Sequence, residues 1–160
     1  MAATRVCFVC LGNICRSPTA EAILAHRLQF DDLGVHLEVE SAGTGDWHVG
    51  HPADERARAE AERRGIAMTG TAQQFTEDDF DRFDIVLAMD STNLETLRAL
   101  APTPEAAAKV HLLREFDPQA NGDLDVPDPY FGGQDGFVDV FDMVDRSITG
   151  LIGHIGSTRG

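Results

Sequence analysis

The order of apolar and polar positions predicts strands that alternate with helices from the start of the chain. Residues 6–9 form a short, uninterrupted apolar run, which is typical of a strand buried on both faces. Residues 10–17 contain small and polar side chains. The next segment repeats apolar positions at helical spacing, namely at Ala20, Ile23, Leu24 and Leu28. The chain therefore opens with a strand, a tight loop and a helix.

The same alternation continues to the last helix. We expect further strands at residues 36–41, 84–89 and 109–113, and helices at residues 52–64, from 76–79, at 90–100 and at 137–155. The last helix carries one apolar stripe, formed by Phe137, Phe141, Val144, Ile148, Leu151 and Ile155. Strands that alternate with helices build a parallel sheet covered on both faces, which is an α/β fold.

A long segment, residues 114–135, separates the fourth predicted strand from the last helix. It contains turn pairs such as Asn121-Gly122 and Asp128-Pro129 and shows no regular periodicity. Loops of this length in compact domains are usually functional or mobile. Ligands of parallel sheets bind where the strands end. The loop after the first strand lies where this rule places a ligand.

The composition narrows the class of protein. With 160 residues and 42% apolar side chains, the chain suits one domain with a sizeable core, which we place at residues 1–160. It has no apolar run long enough to span a membrane, and we expect no secretory signal sequence. Three cysteines, two of them close together, favour a reducing compartment, so we expect a cytoplasmic protein. We also expect a monomer that needs neither metal nor cofactor.

The charge distribution argues against some partners. A formal net charge of −14 argues against nucleic acid and against an anionic membrane. Residues 1–30 differ from the rest, because they carry Arg5, Arg16 and Arg27 against Glu21 alone. A positive field around the first loop would suit an anionic ligand.

This first loop, residues 11–17, has the properties of an anion site and is called the anion loop below. Its members are Leu11, Gly12, Asn13, Ile14, Cys15, Arg16 and Ser17. Gly12 should turn the backbone with positive φ, Asn13 tolerates the same region, and such turns aim successive N–H groups at one point. Ser17 should cap the helix, and Pro18 suits its first turn. The N–H groups and dipole of a helix N-terminus favour an anion.

Two side chains indicate which reaction this site could carry out. Arg16 offers a planar fork of donors that matches two oxygens of a tetrahedral oxyanion. Cys10 stands at the start of the loop, where a helix N-terminus and an arginine stabilise a thiolate. A thiolate inside an oxyanion cradle implies attack on a phosphorus-like centre. A redox or zinc role for Cys7-x-x-Cys10 is less favoured, because Cys7 lies within the strand and no second pair exists.

The ten residues from Val9 to Pro18 resemble the low molecular weight protein tyrosine phosphatases. Cys-x5-Arg-Ser is the signature of cysteine-dependent phosphatases, and in this family it lies at the N-terminus, as it does here. The resemblance extends from about residue 5 to residue 155. It implies a three-layer sandwich around a four-stranded parallel sheet in the order 2-1-3-4, with the site at the end of strand one.

The resemblance also implies roles for individual residues. Ser41 would hold Asn13, and Ser17 would donate its hydroxyl to the Cys10 thiolate. The family carries its general acid in an Asp-Pro-Tyr segment, which here begins at Asp128. An acid that protonates the leaving oxygen contributes roughly 10²–10⁴-fold.

The walls of the substrate slot are expected to be aromatic. Trp47 and Tyr130 would enclose the ring of a phosphotyrosine. The family usually has a second tyrosine where this chain has Phe131, so we expect no regulation by phosphorylation of a tyrosine at that position. Three further side chains are expected only to line or solvate the rim: His48, His51 and Asp54.

We therefore expect a protein-tyrosine phosphatase that hydrolyses phosphotyrosine in proteins through a phosphocysteine on Cys10. Arg16 would bind the phosphate, and Asp128 would act as general acid and then as base. One alternative is a phosphoarginine phosphatase of the same family, but those enzymes have threonine where this chain has Ile14. Another is an arsenate reductase, which uses two downstream cysteines, whereas none follows Cys15. A non-catalytic phosphate-binding module is the third, and it would not need the nucleophile and the acid together.

Overall fold

A computed structural model describes residues 3–159 and shows four parallel strands in one sheet there. The strands are β1 (Thr4–Cys10), β2 (Leu37–Gly43), β3 (Ile85–Ala88) and β4 (Val110–Leu112). Their order across the sheet is β2-β1-β3-β4, which confirms the predicted order. β1 pairs with β2 up to Cys10 opposite Gly43, so the carboxyl ends of these two strands finish side by side.

Helices cover both faces of this sheet. In the described residues the α-helices are α1 (Arg16–Phe30), α2 (Glu55–Arg63), α3 (Ser91–Leu100), α4 (Pro104–Ala107) and α5 (Gln134–Arg159). Two short 3₁₀ helices, Glu77–Asp81 and Leu113–Phe116, lie in the connections. None of the described helices has the length and hydropathy of a membrane span.

The alternation of side chains along β1 divides the core into two layers. Phe8 and Cys10 pack with α1 and α5, whereas Cys7 and Val9 pack on the opposite face with α3, α4 and the first 3₁₀ helix. The six members of the predicted α5 stripe are all buried: Phe137, Phe141, Val144, Ile148, Leu151 and Ile155. The predicted three-layer arrangement is confirmed, and the strand-pattern argument for Cys7 as a core residue is confirmed with it.

Aspartate side chains and a glycine lie at the ends of two helices, where their chemistry suits them. Asp90 caps α3 by accepting a hydrogen bond from the Asn93 N–H at 2.8 Å, and Asp54 caps α2 through the Arg56 N–H at 2.8 Å. Gly65 follows α2 with φ +74°, as a C-terminal glycine should.

The predicted helix at residues 90–100 ends at Leu100, as expected, but the sequence analysis missed the short helix that follows it. Pro104 starts this helix, α4, where the Thr103 hydroxyl accepts from the Ala106 N–H at 3.1 Å. Proline suits this first position because its missing N–H has no partner to lose there. The predicted irregular segment is confirmed from residue 117 to residue 133, after the second 3₁₀ helix.

Candidate active site

The anion loop connects the end of β1 to the start of α1, at the carboxyl edge of the sheet. Cys10, the last residue of β1, is 3% exposed, and Arg16, the first residue of α1, is equally buried. The carbonyl of Cys10 and two carbonyls of the loop accept hydrogen bonds from neighbouring backbone. These bonds run from Thr44 to Cys10 at 2.9 Å, from Gly45 to Leu11 at 2.9 Å and from Asp54 to Ile14 at 2.8 Å. The surrounding backbone thus holds the loop from outside.

The sharp turn in this loop falls on Asn13, and the prediction for Gly12 was wrong. Asn13 has φ 56°, whereas Gly12 does not have a positive φ. A Cβ at Gly12 would lie 3.0 Å from the His48 ring carbon Cδ2, a tight contact to which this side chain would have to adjust. Gly43 at the end of β2 is more restrictive, since its Cβ would lie 2.8 Å from the Leu11 carbonyl oxygen. The loop therefore rests directly on the backbone of β2.

A line of hydrogen bonds runs from Glu21 to the thiol of Cys10. The Ser41 hydroxyl donates to Glu21 Oε1 at 2.5 Å and accepts from Asn13 Nδ2 at 3.0 Å. The same amide donates to Ser17 Oγ at 2.8 Å, and Ser17 Oγ lies 3.0 Å from Cys10 Sγ. Ser41 thus contacts Asn13 as expected. Glu21 was missed by sequence reasoning, and partial burial raises its pKa although the hydrogen bond from Ser41 opposes this rise.

Ser17 occupies a different position from the predicted helix cap. The N-cap of α1 is Cys15, which makes no side-chain capping bond, and Ser17 is the second helical residue. Its hydroxyl turns instead towards Cys10, Asn13 and the Ala42 carbonyl. A serine near a helix start was read as a cap because this is its commonest role, but here three partners outside the helix compete for it.

Arg16 is fixed by partners that lie beyond the loop. Its Nη1 donates to Asp90 Oδ2 at 2.7 Å and to the Val126 carbonyl at 2.9 Å. Burial opposes its positive charge, but nearby Cys10, Asp90 and Asp128 raise its pKa overall, so it stays charged. Asp90 also caps α3, and the sequence analysis gave it no role in the site. Its place at the end of β3, on the same edge as Cys10, was the sequence signal for its second contact.

Asp128 faces the anion loop from the long connecting segment. Its Oδ2 lies 3.8 Å from Arg16 Nη2, while its Oδ1 accepts from the Tyr130 N–H at 3.0 Å. The side chain of Asp128 is 42% exposed, in contrast to the buried groups below it. A carboxylate therefore stands at the solvent side of the cradle, opposite the thiol.

These groups share a cavity of about 200 Å³. It is lined by Cys10, Leu11, Gly12, Ile14, Cys15, Arg16, Trp47, His48, Asp128, Tyr130 and Phe131. Both predicted aromatic walls are present, and Trp47 is 66% exposed, so it does not fill the core. Its ring lies over Gly45, where an added Cβ would come within 1.9 Å of it. His48 lines the cavity, as expected of a rim residue, and Phe131 lines it too, although the sequence reading gave Phe131 no role in the slot.

The three cysteines have different surroundings. Burial, followed by the charges of Asp54, Cys10 and Asp128, raises the pKa of Cys15 to about 12. Burial likewise raises the pKa of Cys7, whose side chain packs on the opposite face of the sheet from Cys10. The alternation of β1 therefore separates Cys7 from Cys10, which explains why the Cys-x-x-Cys spacing forms no pair.

The fold and the site together define a class. This is a parallel α/β protein in which a Cys-x5-Arg anion loop, at the end of the first strand, faces a carboxylate from a late loop. Comparison with known proteins gives the family. Residues 5–159 match the family model of the low molecular weight phosphotyrosine protein phosphatases. The chain belongs to this family, and the resemblance of its loop is confirmed.

Named relatives extend over nearly the whole chain. A low molecular weight protein-tyrosine-phosphatase of Streptomyces coelicolor is 52% identical over 149 residues, which cover 92% of this chain and 91% of the relative. The Homo sapiens low molecular weight phosphotyrosine protein phosphatase is 39% identical, with 88% and 89% covered.

Solved structures agree with the fold. A protein tyrosine phosphatase from Entamoeba histolytica, with Hepes in its active site, superposes with a TM-score of 0.91 at 34% identity, covering 99% of this chain and 100% of that one. Wzb of Vibrio vulnificus, in complex with benzylphosphonate, has a TM-score of 0.81 at 29% identity, covering 96% and 99%.

Proposed function

We propose that this protein hydrolyses phosphotyrosine in other proteins, through a phosphocysteine intermediate on Cys10. The observation that carries this proposal is the meeting of three groups in one cavity. Cys10 supplies the thiol, Arg16 a buried guanidinium, and Asp128 a carboxylate 3.8 Å from that guanidinium. Transfer of a phosphoryl group to sulfur requires a nucleophile, a group that binds the anion and an acid, and these three groups supply them.

The first step would transfer the phosphoryl group to Cys10. The thiolate attacks phosphorus, the bond from phosphorus to the tyrosyl oxygen breaks, and Asp128 gives its proton to that oxygen. Loop carbonyls are engaged by the surrounding backbone, which supports the loop N–H groups as donors to the equatorial oxygens. Arg16 would bind two of these oxygens through its fork, where charge develops in the transition state.

The second step would regenerate the enzyme. Asp128, now a carboxylate, takes a proton from water, and the resulting hydroxide attacks phosphorus while the phosphorus–sulfur bond breaks. Ser17 Oγ lies 3.0 Å from Cys10 Sγ and would stabilise the departing thiolate by a hydrogen bond. Phosphate and the free thiolate are the products.

The walls of the cavity favour an aryl phosphate over a phosphoguanidine. Ile14, Trp47 and Tyr130 present apolar surface around the loop, and Ile14 offers no hydroxyl to a guanidine group. The complex of Vibrio vulnificus Wzb with benzylphosphonate supports the same preference by analogy. Phosphoarginine and arsenate remain the alternatives for the test. We propose a monomer in the cytoplasm, whose partners are phosphotyrosine proteins and not nucleic acid or membranes.

A substrate panel tests this proposal. Phosphotyrosine, phosphoserine and phosphoarginine peptides are compared at equal concentration, together with arsenate and a thiol donor. We expect release of phosphate from phosphotyrosine to be fastest by at least about 10²-fold. This is the order of the rate enhancement that a general acid provides when it protonates a phenolic leaving group. Faster release from phosphoarginine, or reduction of arsenate, would overturn the proposal.

The Cys10→Ser variant is the negative control for this substrate panel. A serine hydroxyl is a far weaker nucleophile than a thiolate, so turnover should be lost. Binding of vanadate should persist, because the loop and Arg16 are unchanged. Persistent turnover would exclude Cys10 as the nucleophile.

A further inference from the structure

Arg56, on the first turn of α2, is bonded to the segment that carries Asp128. Its Nη2 donates to the Tyr130 carbonyl at 2.8 Å, and its Nη1 donates to the Gly132 carbonyl at 2.9 Å. The guanidinium thus joins two carbonyls of the segment just after Asp128. Sequence reasoning gave this arginine no role, because it lies in an ordinary Ala-, Glu- and Arg-rich helix.

Arg56 is itself held on several sides. Asp54 accepts from its Nε at 3.1 Å and from its Nη2 at 3.0 Å. The guanidinium lies 4.7 Å from the centroid of the Phe137 ring, and that ring is almost fully buried. The Arg56 carbonyl accepts from Gln134 Nε2 at 3.0 Å. An arginine fixed in this way holds the direction of its fork.

The same turn of α2 is bonded to the anion loop. The Asp54 N–H donates to the Ile14 carbonyl at 2.8 Å, within the loop that connects Cys10 and Arg16. Asp54 and Arg56 therefore connect the two halves of the site. One half carries the nucleophile, and the other carries the carboxylate.

The hydrogen bond from Arg56 to Tyr130 is connected to Asp128 by one further hydrogen bond. Asp128 Oδ1 accepts from the Tyr130 N–H at 3.0 Å, so the position of Tyr130 helps to set the direction of the carboxylate. On the other side of Asp128, Val126 is bonded to Met89 at 2.7 Å and to Arg16 at 2.9 Å. The carboxylate thus lies between one attachment at Val126 and another made by Arg56.

We propose that Asp54 and Arg56 form a positioning pair that holds Asp128 in line with the leaving oxygen above Cys10. This inference rests on the function proposed above. Lysine cannot replace Arg56, because a single ammonium cannot span two carbonyls and a carboxylate in one plane. Misplacement of a reacting group by about 1 Å can lower a rate by about 10²-fold.

The test compares two leaving groups in Arg56→Lys and in Arg56→Ala. A phenolate from a phosphotyrosine peptide needs a proton, whereas nitrophenolate departs with little help. We expect kcat/KM for the peptide to fall by about 10- to 100-fold, and for nitrophenyl phosphate by less than about 3-fold. Arg58→Ala is the matched control, since Arg58 lies on the same helix but donates to the Ala53 carbonyl. It should leave both rates unchanged.

A double-mutant cycle separates positioning from general damage. If Arg56 acts through Asp128, then Arg56→Lys should have no further effect on the peptide rate in the Asp128→Ala background. An equal loss for both leaving groups, additive with Asp128→Ala, would overturn the pair as a positioning device. Vanadate affinity and the thermal midpoint report folding, and Arg56→Lys replaces Arg56→Ala if the latter unfolds.

The same measurements distinguish a failure of the positioning pair from a failure of the proposed function. If Asp128→Ala alone shows no dependence on the leaving group, the proposed acid is wrong. If Asp128→Ala shows that dependence but neither Arg56 variant does, only the positioning pair is wrong.

Discussion

Asp90 and Arg16 form a short ion pair at the base of the site, with Oδ2 of the aspartate 2.7 Å from Nη1 of the arginine. The arginine side chain is 4% exposed and the aspartate side chain 22% exposed. Because Asp90 and the Val126 carbonyl both engage Nη1, they set the plane of the fork that would receive phosphate.

Replacement of Asp90 by asparagine should weaken catalysis without harming the fold. Asparagine caps a helix as well as aspartate does, so the cap of α3 should survive. Loss of the charge-assisted bond should loosen the guanidinium and lower kcat/KM by about 10-fold, equally for a phosphotyrosine peptide and for nitrophenyl phosphate. Steady-state kinetics and the thermal midpoint measure this. An unchanged rate would show that Val126 alone orients Arg16.

Replacement of Asp128 by alanine should act unequally on the two substrates. Tyrosine has an ordinary pKa of about 10, so its oxygen leaves poorly without a proton. We expect the peptide rate to fall by roughly 10²–10³-fold and the nitrophenyl ester rate by noticeably less. An equal loss for both would mean that Asp128 only shapes the loop. Asp125 is then a poor substitute, since its carboxylate accepts from the Ser91 N–H at 2.9 Å.

Peroxide should join Cys10 and Cys15 in a reversible disulfide. Peroxide oxidises the Cys10 thiolate to a sulfenic acid, and the Cys15 thiol then displaces water from it. Since burial raises the pKa of Cys15 to about 12, Cys15 should be the resolving thiol and not the one oxidised first. Mass spectrometry after a short peroxide pulse measures the product. In Cys15→Ser we expect sulfinic Cys10 instead, and the same product in the wild type would refute the disulfide.

Stability should fall in acid through Asp117. Burial would raise its pKa, but hydrogen bonds from Arg146, the Gln119 N–H and Arg114 outweigh this and lower it. A lowered pKa in the folded state means that its stabilisation is present above about pH 4 and is lost as pH falls through the folded value. The side chain is fully buried, so Asp117→Asn should reduce the free energy of unfolding at pH 7 by about 3 kcal/mol.

The difference between wild type and Asp117→Asn should therefore shrink as pH falls below about 4. Urea unfolding at several pH values measures it. Asp139→Asn is the matched control, because Asp139 is exposed on α5. A difference that stays constant with pH would contradict the role of Asp117.

Local patterns predicted the order of elements well. The apolar run of β1 and the stripe of α5 each depend on residues close in sequence, and periodicity reports such residues directly. The strand order and the Asp128 assignment came from resemblance, because pairing between distant strands leaves little trace in one sequence.

The features that could not be predicted from the sequence depend on contacts between residues far apart in the chain. Ser17 was read as a cap because nothing local reveals Cys10 Sγ at 3.0 Å, and Gly12 was given the turn that Asn13 makes. The roles of Glu21 and Arg56 appear only once β2 and the segment after Asp128 are folded against α1 and α2. Each is a polar residue on a helix, where exposure to solvent is the usual expectation.

The line of hydrogen bonds that ends at Cys10 bears on which parts of the site can move. Asn13, Ser17 and Ser41 are at most 5% exposed and are already engaged with one another, so the cradle is ordered when the chain folds. Phe131 on the opposite side is 92% exposed. We therefore expect the pocket proposed for phosphate to be formed before a substrate binds, and any rearrangement on binding to occur on the exposed aromatic side of the site.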